Sequence, residues 1–228
     1  MKPKFCEAAG RSEMMSSRMR WAIMGVLVSA TSGVCFLAGI AAADTPKIFR
    51  SGNGAFQFRY APELVRCESQ DAKVTPGSTW APVEACRCND PGGAAVTAVC
   101  FAYPKTKFKD KPVFHGASFF VATDAAATDA QSCFAGSASW GDVRGDRATI
   151  GATAFQHFRV SDAGMSHYSD SDIYRGFHAG ACYELVVQEM TTNPAVYDSG
   201  TIQEFTKEDD AEVMGTLTRA LRSFQFVQ

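Results

Sequence analysis

Beyond its first 43 residues this 228-residue chain has no apolar run long enough to cross a bilayer, which takes about 20 consecutive residues as a helix. It has no excess of positive charge either, since 22 Lys and Arg stand against 24 Asp and Glu. Broad nucleic-acid binding needs a basic face that displaces counterions, so that class is set aside. No C-x-x-C and no H-x-x-x-H occurs, and none of the four His lies two or four residues from another. Local metal-ligand spacing is therefore missing, and neither a metal nor a cofactor is expected. A nucleophile elbow is missing too. The nearest runs, Gly116-Ala117-Ser118-Phe119-Phe120 and Gly164-Met165-Ser166-His167-Tyr168, lack the second glycine that a sharp strand–Ser–helix turn requires. Asp162, Asp170 and Asp172 do not follow calcium-loop spacing. They fall in a Ser-rich stretch that reads as a solvated loop. No internal repeat or low-complexity tract is visible.

What is present begins with a leader. Scattered positive charge ends at Arg18 and Arg20, and an apolar stretch runs from Trp21 to Ile40, broken by Ser29, Thr31, Ser32 and Gly33. Ala41-Ala42-Ala43 supplies the small residues a signal peptidase pocket takes, so cleavage after Ala43 and a secreted or periplasmic mature protein are expected. A start at Met14, Met15 or Met19 would leave a leader of more ordinary length. The rival is an uncleaved membrane anchor, but the polar centre and the Ala-rich end favour cleavage. Val34 is too large for the residue before a lipidated Cys, which argues against attachment at Cys35. Removing the leader's five basic and two acidic side chains leaves 17 and 22 in the 185 residues from Asp44, a net charge of −5. That length suits one domain with its own core and no integral membrane segment.

Six cysteines follow the leader: Cys67, Cys86, Cys88, Cys100, Cys133 and Cys182. An even number in an exported chain reads as three disulfides and leaves no thiol for nucleophilic chemistry. Cys86 and Cys88, one residue apart, cannot easily bridge each other. They are expected to reach separate partners, with Cys67 and Cys100 as the flanking candidates, which leaves Cys133 and Cys182 for the long-range bridge. Zinc at Cys86 and Cys88 is the weaker alternative, because no second ligand pair stands at suitable spacing.

Ile48 to Arg50 starts an extended piece, and Phe56, Phe58 and Tyr60 alternate with polar residues as in a half-buried strand. Residues 68–93 hold Pro76, Gly77, Pro82, Pro91, Gly92 and Gly93, which describes an irregular excursion tied down by a cysteine. Strands are expected at Ala95–Tyr103, buried on both faces, and at Val113–Ala122, with Phe119 and Val121 on one face and Phe114 and Phe120 on the other. Thr128-x-x-Gln131 matches a capping box for a short helix through Cys133. Residues 136–147 read as a turn-rich crossover, Ala154–Val160 as a strand, and Ile173–His178 with Ala181–Thr191 as a hairpin about Ala179-Gly180. Thr206 caps a closing amphipathic helix whose first turn carries Glu208, Asp209 and Asp210, with Val213, Met214, Leu217, Ala220, Leu221 and Phe224 as its stripe. Ser223 to Val227 then leaves the helix as a terminal strand.

The Phe-Gln-Phe-Arg-Tyr-Ala-Pro strand at 56–62, the Gly-Ala-Cys-Tyr-Glu-Leu strand at 180–185 and the helix running into Ser-Phe-x-Phe are similar to the PsbP-like α/β/α sandwich. The resemblance covers about residues 54–228, with the Cys-rich insertion at 67–100 as a departure. It implies an α+β fold with a central antiparallel sheet flanked by helices. It also implies an accessory or binding role, and it carries no catalytic residue.

Among polar residues, His178 beside the hairpin turn, with Tyr183 and Glu184 on the opposite arm, is the candidate ligand-binding cluster. Glu184 could instead be a plain outward-facing strand residue. His115, His157, His167 and His178 all fall on or near strands, so three could converge on a metal, although exposed or hydrogen-bonded strand histidines are the commoner case. Lys105, Lys107, Lys109 and Lys111 would share one side of an extended chain, able to grip anionic lipid or polysaccharide but more often protecting a sheet edge. The expected function is a secreted or periplasmic non-catalytic domain for an unknown envelope or extracellular partner. The alternative is a hydrolase with a dispersed acid/base pair such as Glu184 and His178.

Overall fold

The structure is a computed structural model that describes residues 45–67, 88, 95–136, 140 and 145–227. The leader, the excursion at 68–93 apart from Cys88, and most of the 136–147 crossover lie outside the described residues.

In chain order the elements are β1 (Lys47–Arg50), β2 (Phe56–Tyr60), β3 (Val65–Arg66), β4 (Val96–Ala102), β5 (Phe114–Asp124), α1 (Ala130–Phe134), β6 (Asp146–Ile150), β7 (Thr153–Gly164), β8 (His167–His178), β9 (Ala181–Thr192), α2 (Lys207–Arg222) and β10 (Gln225–Phe226). A seven-stranded sheet runs β3-β4-β5-β9-β8-β7-β6, and a three-stranded sheet runs β1-β2-β10. Among the described residues every pairing is antiparallel. The fold is therefore α+β and mostly antiparallel sheet. Helices flank the large sheet less than expected: α2 and the small sheet share one face, and the five-residue α1 packs near β8 and β9.

The main core lies between the large sheet and the α2 layer. Phe58 stands edge-on to Phe101 and Phe119 at 5.5 and 5.0 Å, and Val213, Leu217, Ala220 and Leu221 of α2 close over them. Each buried Phe, Val or Leu among them contributes about 1.5–3 kcal/mol by leaving water. Thr206 caps α2, as the sequence indicates, and the structure adds a reciprocal box with Asp209. A second cluster on the opposite face joins Phe120, Phe158, Ile173 and Val186 to Cys88 and Cys100.

Cys88–Cys100 and Cys133–Cys182 are bridged among the described residues. Cys67 is also disulfide-bonded, while Cys86 lies outside the described residues. Cys88 thus takes Cys100, one of its two expected partners, and the sulfurs of Cys67, Cys88 and Cys100 all lie within 4.8 Å of one another as one buried group.

Several expectations need correction. Asp129, not Thr128, caps α1, in a box with Ser132. β4 is buried only from Val99 to Phe101, and Val96 is 69% exposed. Phe114 lies in the same core as Phe119 because the register shifts between Phe114 and Gly116. The Ser-rich stretch is not a loop. β7 and β8 continue through it to a tight turn at Met165 (φ 52°) and Ser166 (φ 67°), and Asp170 sits opposite Ser161. Residues 161–164 of β7 are exposed on both faces, and the covered positions of β8, His167, Ser169 and Ser171, are polar, so no hydrophobic alternation marks the strands. The lysine run is not extended either. Residues Lys105–Phe108 form a 3₁₀ turn that buries Phe108 against Tyr103, Phe114 and Phe205. Lys111 pairs with Asp209, and Lys107 lies 3.6 Å from Glu212, so the run docks α2 instead of guarding an edge.

Candidate functional site

The three residues singled out beside the β8–β9 turn do not form one cluster. His178 stacks on Phe226 with ring centroids 4.0 Å apart, and Tyr183 meets the same ring edge-on at 4.9 Å. Glu184 points the other way, because successive strand residues alternate between faces. There it is buried with its register partner Arg175, whose Nε lies 3.3 Å from Glu184 Oε1. The imidazole of His178 and the carboxylate of Glu184 are thus separated by the sheet, and no cleft joins them as an acid/base pair. The outward-facing reading of Glu184 is corrected as well, since it is 1% exposed.

Arg175 also pairs with Asp124 and lies 3.4 Å from Cys182 Sγ, with Trp140 stacked over its guanidinium at 5.6 Å. No local composition or motif marks this buried group in the sequence. Its signal is the hairpin: Arg175 and Glu184 are equidistant from Ala179-Gly180, so the hairpin register places them opposite each other.

A second carboxylate group sits at the far end of β9. Glu189 of β9 faces Asp170 of β8, and Asp210 of α2 is its other negative neighbour. Burial, reinforced by these two negative neighbours, pushes the Glu189 carboxyl up to about 8.

The open concavity that gathers charge is a groove of about 880 Å³. Its walls come from Thr45 and Pro46 before β1, Arg59 to Glu63 at the end of β2, Lys107 of the 3₁₀ turn, and Arg219 and Ser223 at the end of α2. Ser223 ties two walls together: its Oγ accepts from Arg59 N–H at 2.7 Å and donates to the Arg59 carbonyl at 3.0 Å. Arg59, Lys107 and Arg219 are exposed, and Glu63 is the acidic lining residue. Arg219 stands where the helix dipole favours a cation and donates to Thr216 Oγ1 at 2.8 Å. Beside the groove, Tyr103 donates to Glu212 at 2.7 Å. Burial first, and then this carboxylate, raise the tyrosine hydroxyl well above its ordinary range. Chemically the groove offers cations and an aromatic rim, Tyr60, suited to holding an anion.

No protein-family profile and no curated protein matches the sequence. Among solved structures, the chain resembles a protein from Bacteroides thetaiotaomicron VPI-5482 (10% identity, TM-score 0.43, 80% of this chain and 48% of that one). The chain thus spans about half the length of that relative. It also resembles LpqN, involved in cell envelope biogenesis of Mycobacterium tuberculosis (6% identity, TM-score 0.42, 81% and 91%). A third is the cyanobacterial PsbP of Synechocystis sp. PCC 6803 (10% identity, TM-score 0.40, 86% and 98%). The likeness to PsbP drawn from the sequence recurs here. Among the described residues, no helix is long and apolar enough to cross a membrane.

Proposed function

We propose that the mature chain is an exported, disulfide-braced, non-catalytic domain that holds an anionic, carboxylate-bearing part of an envelope or extracellular partner in the Arg59–Lys107–Arg219 groove. One observation carries the reading: three cations from three different elements converge on one concavity that Ser223 braces. Export is supported by the leader over residues 1–43 and by paired cysteines, which persist in oxidising compartments.

The test uses a fluorescent hexaglutamate peptide as probe and hexaglutamine as its neutral control. The acidic peptide binds saturably, weakens with salt as exposed ion pairs do, and loses on the order of tenfold affinity in the Arg59→Glu/Arg219→Glu variant. Equal binding of the neutral peptide, or an unaffected variant, overturns the groove as the site. Intact mass of protein recovered from the envelope fraction, beginning at Asp44, checks export separately.

A further inference from the structure

Two of the four histidines meet at one end of the large sheet. His115 on β5 and His167 on β8 flank Thr192 of β9, the strand between them. His115 Nε2 and His167 Nδ1 both hydrogen-bond to the Thr192 hydroxyl, the second at 2.9 Å, and the two rings are 5.0 Å apart. A hydroxyl has one proton, so at most one of these nitrogens receives it and the other must donate. Two imidazole nitrogens are therefore directed at one point in space.

The chain makes a local adjustment to achieve this. From Ala117 to Val121 the odd positions of β5 face the α2 core, and an unbroken strand would send His115 there too. The bulge between Phe114 and Gly116, with Gly116 at φ 153°, puts Phe114 into that core instead. His115 turns to the opposite face, where Thr192 and His167 stand. Re-aiming a side chain is a recurrent use of bulges beside functional sites.

The cluster is held from both sides. The N–H of Thr192 donates to the Val113 carbonyl at 2.8 Å, and that of Asn193 donates to the Ser166 carbonyl at 2.7 Å. Donors on three adjacent strands are more rigid than donors on a loop, which is the preorganisation a metal site needs. Both histidines are half-buried, and His167 follows directly on the exposed Met165–Ser166 turn, so an ion has access without crossing the core.

We infer that His115 and His167, with the Thr192 hydroxyl as a weak third donor, form a site for one divalent transition-metal ion. Neutral imidazoles select the nickel, copper and zinc group over calcium and magnesium, which prefer oxygen. Within that group copper(II) binds most tightly. Positions not filled by the two rings remain open to water or to a side chain of a partner.

The test titrates the oxidised full chain with copper(II), nickel(II) and calcium(II). Copper binds at one equivalent, with an electron paramagnetic resonance signal split by two imidazole nitrogens, and calcium does not compete. His115→Gln and His167→Gln each weaken copper binding at least tenfold, while His157→Gln and His178→Gln leave it unchanged. A second measurement needs no variant: substoichiometric copper broadens the ring proton resonances of His115 and His167 ahead of those of His157 and His178. Binding without saturation, binding that survives loss of both residues, or equal broadening of all four rings overturns the site.

Discussion

Arg175 and Glu184 face each other across β8 and β9 with Nε 3.3 Å from Oε1, and both side chains are buried. Asp124 shares the same guanidinium. A buried ion group contributes little net stability relative to a well-packed apolar one, because desolvation offsets the attraction. Breaking it is another matter, since the remaining charges stay buried.

Arg175→Met should therefore destabilise the fold by about 3–5 kcal/mol, read as a drop in the urea midpoint with an unchanged slope. Adding Asp124→Asn and Glu184→Gln should restore most of the loss by removing the stranded charges. If the triple variant is no more stable than Arg175→Met, the group is held by packing and not by charge.

The two described bridges close loops of different length, with separations of 49 residues for Cys133–Cys182 and 12 for Cys88–Cys100. Chain-entropy arithmetic assigns about 4 kcal/mol to the longer and about 3 kcal/mol to the shorter. Cys133→Ala/Cys182→Ala should thus lose more than Cys88→Ala/Cys100→Ala in parallel denaturant curves. The contact of Cys182 with Arg175 acts in the same direction. The reverse order would show that native packing around Cys88 and Cys100 outweighs the loop term.

Much of this architecture was legible because burial is one-sided. The Phe56–Phe58–Tyr60 alternation, the α2 stripe and the Ala179-Gly180 turn each announce a face or a reversal. The parts that were missed lack such a contrast. The outer half of β7 is exposed on both sides and that of β8 covers only polar residues, the lysine run conceals one buried ring at Phe108, and a one-residue bulge at His115 inverts the face of Phe114. The candidate site suffered most. Tyr183 and Glu184 are neighbours in sequence yet opposite in space, and the His115–His167 meeting is made by strand order, which no local spacing encodes.

Glu189 supplies a pH test. Its carboxyl is raised from an ordinary value of 4.5 to about 8 by burial and by Asp210 and Asp170. A group raised in the fold stabilises while it keeps its proton, so its contribution is intact below about 4.5 and is lost as the pH climbs through about 8. Glu189→Gln keeps the neutral form at every pH. Its Tm should match that of the wild type near pH 4.5 and exceed it at pH 8.5 by about 2–4 °C for each kcal/mol relieved. An offset equal at both pH values would rule out titration of Glu189 as the cause.

Gly176 and Phe155 give the sharpest packing test. A Cβ on Gly176 would lie 2.5 Å from Phe155 Cε1 and 2.7 Å from its Cδ1. The ring cannot easily retreat, because Phe224 stands edge-on to it at 6.3 Å and Phe226 is stacked at 6.4 Å. Gly176 has an ordinary strand conformation, so the glycine is required by the close approach of this ring and not by its backbone angles. Gly176→Ala should cost about 1–3 kcal/mol as an overpacked site, seen as a lower urea midpoint. Phe155→Leu in the same chain frees the space that the added methyl needs, so the two losses should be strongly non-additive, with the double variant more stable than their sum predicts. Simple additivity would mean that the methyl is accommodated by movement of β8 and not by the ring.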